Sequence, residues 1–163
     1  MDWDAYRSRS KGHWNDPLLQ VHPRIILGNA NITIQLLHKY NITHIVNCAY
    51  GDVRSHSKMI EQEYIGRYAK IAAEDSLQAD ITEWYPVFEL MMNEFLADPA
   101  CKTVYIHCVC GVNRSAFLLL MYICFKFGQD MKTAATEMMK CRPCIFENTT
   151  FRRQVEDYIK KHT

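Results

Sequence analysis

His107-Cys108-Val109-Cys110-Gly111-Val112-Asn113-Arg114-Ser115 follows the apolar, β-branched segment Thr103-Val104-Tyr105-Ile106 and precedes Ala116 to Phe127, a run that is apolar nearly all round. The short run before the motif reads as a buried strand and the long one after it as a buried helix. The stretch is therefore a strand–loop–helix junction. A cysteine, five residues and an arginine placed there form a site for a phosphate dianion. The loop amides can point inward as a nest, and the helix N-terminus adds positive potential. That field favours the Cys108 thiolate over the thiol. An anionic sulfur repels phosphate unless a cation bridges the two, and the planar fork of Arg114 can bind two phosphate oxygens at once. One loop then holds a nucleophile and an electrostatic clamp.

The rest of the chain fits a single α/β domain. At 163 residues it is long enough to bury a core, and its composition is ordinary for a globular protein, with 48% hydrophobic and 23% charged residues. A net charge of +1 gives no general argument for nucleic acid or an anionic membrane. The start, Met1-Asp2-Trp3-Asp4, is too polar for a signal peptide, and no apolar run reaches spanning length. Seven cysteines without a secretory signal read as reduced thiols, so an intracellular location, cytoplasmic or nuclear, is expected.

Residues 1–20 read as an irregular N-terminal extension with a short basic patch, Arg7-Ser8-Arg9-Ser10-Lys11, as a solvated tail; residues 21–163 read as the catalytic domain. Arg24 to Leu27 reads as the first strand, ended by Gly28-Asn29. Asn31 to Tyr40 places Ile32, Leu36 and Leu37 near helical spacing, and Asn41 to Cys48 reads as the next strand. Asp52 to Gln62 is polar and receives no assignment; Tyr64 to Ile71 reads as another strand. A helix begins near Asp80 or Thr82, with Pro86 favouring the later start. Gly128 terminates the central helix, Asp130 caps the next, and a last helix runs from Asn148 to about Lys161.

The motif resembles the signature of the cysteine-dependent protein phosphatases, His-Cys-x-x-Gly-x-x-Arg-Ser/Thr, with Cys110 where many relatives have Ala and Asn113 where many have Ser. Arg24-Ile-Ile-Leu-Gly28, Asn41-Ile-Thr-His-Ile-Val-Asn47, Ala73-Glu-Asp75, Ala79-Asp-Ile81 with Trp84-Tyr85, and Asn148-x-x-Phe151-x-x-Gln154 resemble recurring blocks of the dual-specificity phosphatases, in the correct order over roughly residues 20–160. Viral members also carry Gly-Val-Asn-Arg-Ser. The resemblance implies a central mixed sheet of about five strands with helices on both sides, and a phosphate-binding loop between strand and helix.

It also implies the chemistry. Thiolate attack on a phosphomonoester needs a proton for the leaving oxygen, which a loop carboxylic acid can supply. Asp75 matches the family's acid by position, after a strand and just before Ala79-Asp-Ile81; Asp80 is the alternative, though a capping role accounts for it. Cys108, Arg114, Asp75 and Ser115 are thus the expected catalytic residues. His107, Val109, Cys110, Gly111, Val112, Asn113 and Arg114 are expected to bind the phosphate. Ser115 can donate a hydrogen bond to the sulfur, and His107 can orient the loop from the strand end. No metal or other cofactor is expected. Cys141-Arg-Pro-Cys144 with Cys108/Cys110 could supply four thiolates to zinc, but zinc would occupy the nucleophile. Cys48 and Cys110 are candidate partners for reversible oxidation of Cys108. Val109, Cys110, Gly111, Val112 and Asn113 carry no charge, which favours phosphorylated proteins as substrates. Phosphoinositides and RNA 5′-triphosphates are the alternatives, and both would need a basic rim built from Arg7, Arg9, Lys11, Arg142 or Arg152-Arg153. A non-catalytic phosphate-binding module is the remaining reading.

Overall fold

The computed structural model describes the chain except for residues 8, 50–59, 61 and 65. Most of the unassigned stretch Asp52 to Gln62 therefore lies outside the described residues. Five strands, β1 (Leu19–His22), β2 (Ile25–Gly28), β3 (Ile42–Ala49), β4 (Tyr68–Ala73) and β5 (Thr103–His107), form one sheet in the order β1-β2-β5-β3-β4. The β1–β2 pair is antiparallel and the other three pairs are parallel. The expected mixed five-stranded sheet is thus present, with β5 in the centre and all five of its residues buried.

Alternation along the strands builds two cores, because successive side chains point to opposite faces. Ile25 and Leu27 of β2 and Val104 and Ile106 of β5 face one core, whereas Ile26 and Tyr105 face the other. Helix α1 (Ile34–Lys39) covers the smaller core through Leu37. The larger core receives α2 (Tyr85–Ala97), α3 (Arg114–Phe127), α4 (Met131–Cys141) and α5 (Thr149–His162). Every residue from Ser115 to Cys124 is buried, as a helix apolar all round requires. Each large apolar side chain so placed contributes about 1.5–3 kcal/mol. That exceeds any difference in helix propensity, so packing holds α3. It ends at Gly128, whose φ of 66° a residue with a Cβ tolerates poorly. Asp130 caps α4 through Thr133 N, Asn148 caps α5 through Phe151 N, and Pro86 sits in the first turn of α2.

Two segments differ from expectation. The first twenty residues are partly built into the domain. Trp3 is only 4% exposed, lies edge-on to Phe117 and Phe146, and donates to Glu156 at 2.6 Å. Arg7 donates to the carbonyls of Pro143 and Ile145. Strand β1 begins at Leu19 with only one buried residue, too brief a pattern to register as a strand. The strand expected from Tyr64 starts at Tyr68, because a turn closes Arg67 N onto Tyr64 O at 2.7 Å. Among the described residues no helix is long and apolar enough to cross a membrane.

Candidate active site

The loop from Cys108 to Asn113 leaves the carboxyl end of β5, between the ends of β2 and β3, where open α/β sheets place their ligands. Its carbonyls are all engaged by the protein. The Cys108 carbonyl accepts from His107 Nδ1 at 2.7 Å and that of Val109 from Ala30 N at 2.9 Å. Arg142 Nη2 and Nε donate to the Cys110 and Gly111 carbonyls at 2.9 and 3.1 Å. Val112 O accepts from Phe146 N at 2.8 Å, and Asn113 O from Phe117 N at 2.9 Å. Peptide units whose oxygens are held on the outside turn their N–H groups inward, which is how a nest for an anion forms. Gly111 makes this course possible: its φ is 66°, and an added Cβ would collide with the Gly28 carbonyl.

Cys108 sits inside this ring and is 2% exposed. Burial alone would raise its pKa. Arg114, the Ser115 hydroxyl at 3.2 Å and the backbone N–H groups of Ser115 and Gly111 outweigh that effect and hold the thiol below its ordinary value. Cys48, fully buried on β3, lies close enough to feel both Cys108 and Arg114. Burial first, and then the Cys108 charge, push it well above the ordinary thiol value. One of the two thiols is thus set to ionise and the other to stay protonated. Arg114 anchors itself by donating from Nη1 to the Ala73 carbonyl at 3.0 Å, while its buried Nε has no partner among the described residues. That free N–H can donate to an oxyanion over the loop.

The carboxylate side arrives from β4. The β3–β4 register slips between Asn47 and Ala49, so that two residues of β4, Ile71 and Ala72, stand against Cys48 alone, and Ala72 has a φ of 59°. Such a bulge re-aims the strand, a device common beside active sites. Here it delivers the Ala73 carbonyl to Arg114 and carries the chain on to Asp75. Asp75 is exposed, and both carboxylate oxygens accept hydrogen bonds: Oδ2 from Asn113 Nδ2 at 3.1 Å, Oδ1 from Asn148 Nδ2 at 2.9 Å. Asp80 instead accepts from Thr82 N at 3.0 Å and Thr82 Oγ1 at 2.6 Å as the cap of the 3-10 turn Ile81–Trp84. The geometry therefore joins Asp75, and not Asp80, to the loop.

The other residues singled out from the sequence divide. His107 is fully buried and donates from Nδ1 to the Cys108 carbonyl, so it supports the loop from the end of β5. Val109, Cys110, Val112 and Asn113 are partly exposed around the sulfur, and Gly111 is buried. Cys141 is exposed and Cys144 buried, and among the described residues no group of three His, Cys, Asp or Glu side chains is placed to hold a metal ion. Of the candidate basic rim, Arg142 is fully buried, while Arg7 and Arg152 bond backbone carbonyls and Asp4. Two contributors escaped the sequence reading: Arg142, which grips the loop from behind, and Asn148, which reaches Asp75. The Arg-Pro pair inside the Cys-x-x-Cys segment gave no sign of the first, and Asn148 read only as the start of the last helix and of the Asn148-x-x-Phe151-x-x-Gln154 block.

Residues 25–161 match the family model described as "Dual specificity phosphatase, catalytic domain". Mouse dual specificity protein phosphatase 19 is 27% identical over 143 residues, covering 85% of this chain and 60% of the mouse protein. Xenopus laevis serine/threonine/tyrosine-interacting protein A is 27% identical over 164 residues, 96% of this chain and 68% of that one. The solved Yvh1 phosphatase domain from Chaetomium thermophilum superposes with a TM-score of 0.73 at 19% identity, covering 90% of this chain and 97% of the domain, a likeness of fold.

Proposed function

The chain belongs to the dual specificity phosphatase family, and on that premise we propose that it hydrolyses phosphomonoesters on phosphotyrosine and phosphoserine/phosphothreonine proteins through a cysteinyl-phosphate intermediate. The observation that carries this reading is the Cys108 thiol, held below its ordinary value by Arg114, the Ser115 hydroxyl and the Ser115 and Gly111 N–H groups, with Asp75 tied to the same loop. In the first step the Cys108 sulfur attacks phosphorus in line, the bond to the ester oxygen breaks, and Asp75 gives that oxygen a proton. In the second step water attacks phosphorus, Asp75 takes its proton, and the sulfur leaves as thiolate, accepting from the Ser115 hydroxyl. Arg114 and the loop amides stabilise the equatorial oxygens in both steps.

Phosphoprotein is favoured over lipid or RNA because the loop side chains carry no cation beyond Arg114 and because Arg7, Arg142 and Arg152 are committed to other partners. Seven free cysteines suit a reducing, intracellular compartment. The test is phosphate release from phosphotyrosine and phosphothreonine peptides, phosphoinositides and 5′-triphosphorylated RNA, with Cys108→Ser as the blank. Turnover of both peptides, absent in the blank, is expected. Turnover of lipid or RNA alone would keep the mechanism and overturn the substrate. Peptide binding without turnover would make the protein a phosphate-binding module.

A further inference from the structure

Asp75 belongs to an exposed segment, yet its carboxylate is oriented at both oxygens by asparagines from two other elements. We propose that Asn113 and Asn148 are positioning residues that lock the Asp75 carboxylate onto the phosphate loop, an arrangement that rests on the phosphatase reading above and goes beyond it.

The orientation of each amide is fixed by its neighbours. Asn113 Oδ1 accepts from Asn148 N at 2.8 Å, and a backbone N–H can only donate, so Asn113 must turn its NH2 toward Asp75. Asn148 Oδ1 accepts from Phe151 N at 3.0 Å, so its NH2 likewise faces Asp75, and it also donates to the Ser76 carbonyl at 3.1 Å. The three residues form a closed circuit: the acid segment to the phosphate loop, the loop to the backbone N–H at the start of α5, and the Asn148 side chain back to the acid segment. No member can rotate without breaking a hydrogen bond in another.

The position of Asn113 sharpens the point. It is the N-cap of α3, where an asparagine ordinarily turns its oxygen onto the helix's own amides. Here it makes no such bond. Its side chain has been taken from a favourable local role and given to the circuit with Asp75. Asn148 keeps its capping bond and adds two bonds to the acid segment. In the ester-cleaving step the proton sits on one carboxyl oxygen; both oxygens retain a lone pair for an amide donor, so the circuit fixes the plane of the carboxyl group and the direction in which the proton is offered. Placing an acid in reach of the leaving oxygen before substrate arrives removes an orientational search from the reaction.

The experiment compares kcat/KM, which reports the step that breaks the ester bond, for two substrates. A phosphotyrosine peptide has a leaving oxygen that needs a proton; an aryl phosphate with a strongly acidic phenol does not. The variants are Asn113→Asp and Asn148→Asp. Each keeps the size of the side chain and replaces the NH2 donor with an oxygen that repels Asp75, and Asn148→Asp also keeps an acceptor for Phe151 N. General acid–base catalysis contributes roughly 10²–10⁴-fold. Misdirecting the acid should lose a part of that: the loss on the peptide should exceed the loss on the activated ester by about 10- to 100-fold, and this excess should vanish in an Asp75→Asn background. Thermal midpoints of all variants should stay close to that of the parent. Equal losses on both substrates, or an excess loss on the peptide that persists without Asp75, would assign the asparagines to the shape of the loop and overturn the proposal, as would unchanged kcat/KM on the peptide. If the parent protein shows no Cys108-dependent turnover of either ester, the phosphatase reading itself fails, a result distinct from the others.

Discussion

Replacing Arg142 with methionine tests whether the phosphate loop is held from behind. The Arg142 side chain is fully buried and donates to five backbone carbonyls: His13, Asp16 and Pro17 in the N-terminal segment, Cys110 and Gly111 in the loop. No carboxylate accepts from it among these contacts. Methionine fills most of the volume and donates nothing. Hydrogen bonds from a charged donor contribute about 1.5–3 kcal/mol each, so five of them set an upper bound on the order of 10 kcal/mol. The true loss is smaller, because His13, Pro17 and Cys110 keep some exposure and water can replace the donor there. Asp16 and Gly111 are buried, and an unsatisfied buried acceptor costs about 1–3 kcal/mol. The expected destabilisation is therefore about 4 kcal/mol, or a fall of about 8–16 °C in the melting midpoint for a chain of this size. Arg142→Lys should fall between, since one ammonium cannot span carbonyls on both sides of a fork. Thermal melting and urea titration give the stability. Phosphate release well below the melting range gives kcat, which should drop by more than tenfold as the Cys110 and Gly111 carbonyls are freed to rotate. A methionine variant that melts within about 2 °C of the parent and keeps its kcat would refute the idea that Arg142 organises the loop.

Three further perturbations bear on separate links. Ser115→Ala removes a donor to the Cys108 sulfur; because the thiol sits below its ordinary value, the inflection in its iodoacetate alkylation rate should move to higher pH in the variant. Turnover of the cysteinyl-phosphate should also slow, visible as a larger burst of released alcohol or phenol. Trp3→Ala removes a buried ring from the larger core and should cost about 3–5 kcal/mol, read as a fall of about 6–20 °C in the melting midpoint; a solvated N-terminal tail would show no change. Gly111→Ala meets both the positive φ, about 1–2 kcal/mol for a residue with a Cβ, and the collision with the Gly28 carbonyl. It should weaken inhibition by orthovanadate far more than it lowers the melting midpoint.

The parts of this molecule visible in the sequence are those set by local pattern. The long apolar run after Ser115, the β-branched run before His107, Gly128, Asp130 and the Asn148 cap each announce an element within a few residues of where it lies. The Cys108–Arg114 spacing announces the nest. What stayed hidden depends on contacts between distant positions. Trp3 reads as one aromatic in a polar stretch, and Phe117, Phe146 and Glu156, all distant in sequence, make it a core residue. Arg142 reads as a surface cation until the carbonyls of residues 13, 16 and 17 are folded over it. The β4 bulge is carried by Ala72, a residue with no special propensity for positive φ, so nothing in its chemistry marks the place.

Asn113 shows how the local and the distant compete at one residue. At the head of α3 it would add about 1 kcal/mol to the helix by capping it. The helix forgoes that contribution because its ten buried residues hold it in place regardless. The uncapped first turn then has amides to spare, and the Ser115 N–H goes to the Cys108 sulfur. A stabilised, capped helix end and an anion site at that end draw on the same N–H groups, so a phosphate loop can be built only on a helix that packing already secures. The side chain released from capping is in turn available to Asp75. On this reasoning, a substitution that lets residue 113 cap α3, such as Asn113→Ser, should raise stability slightly while slowing cleavage of the phosphotyrosine ester.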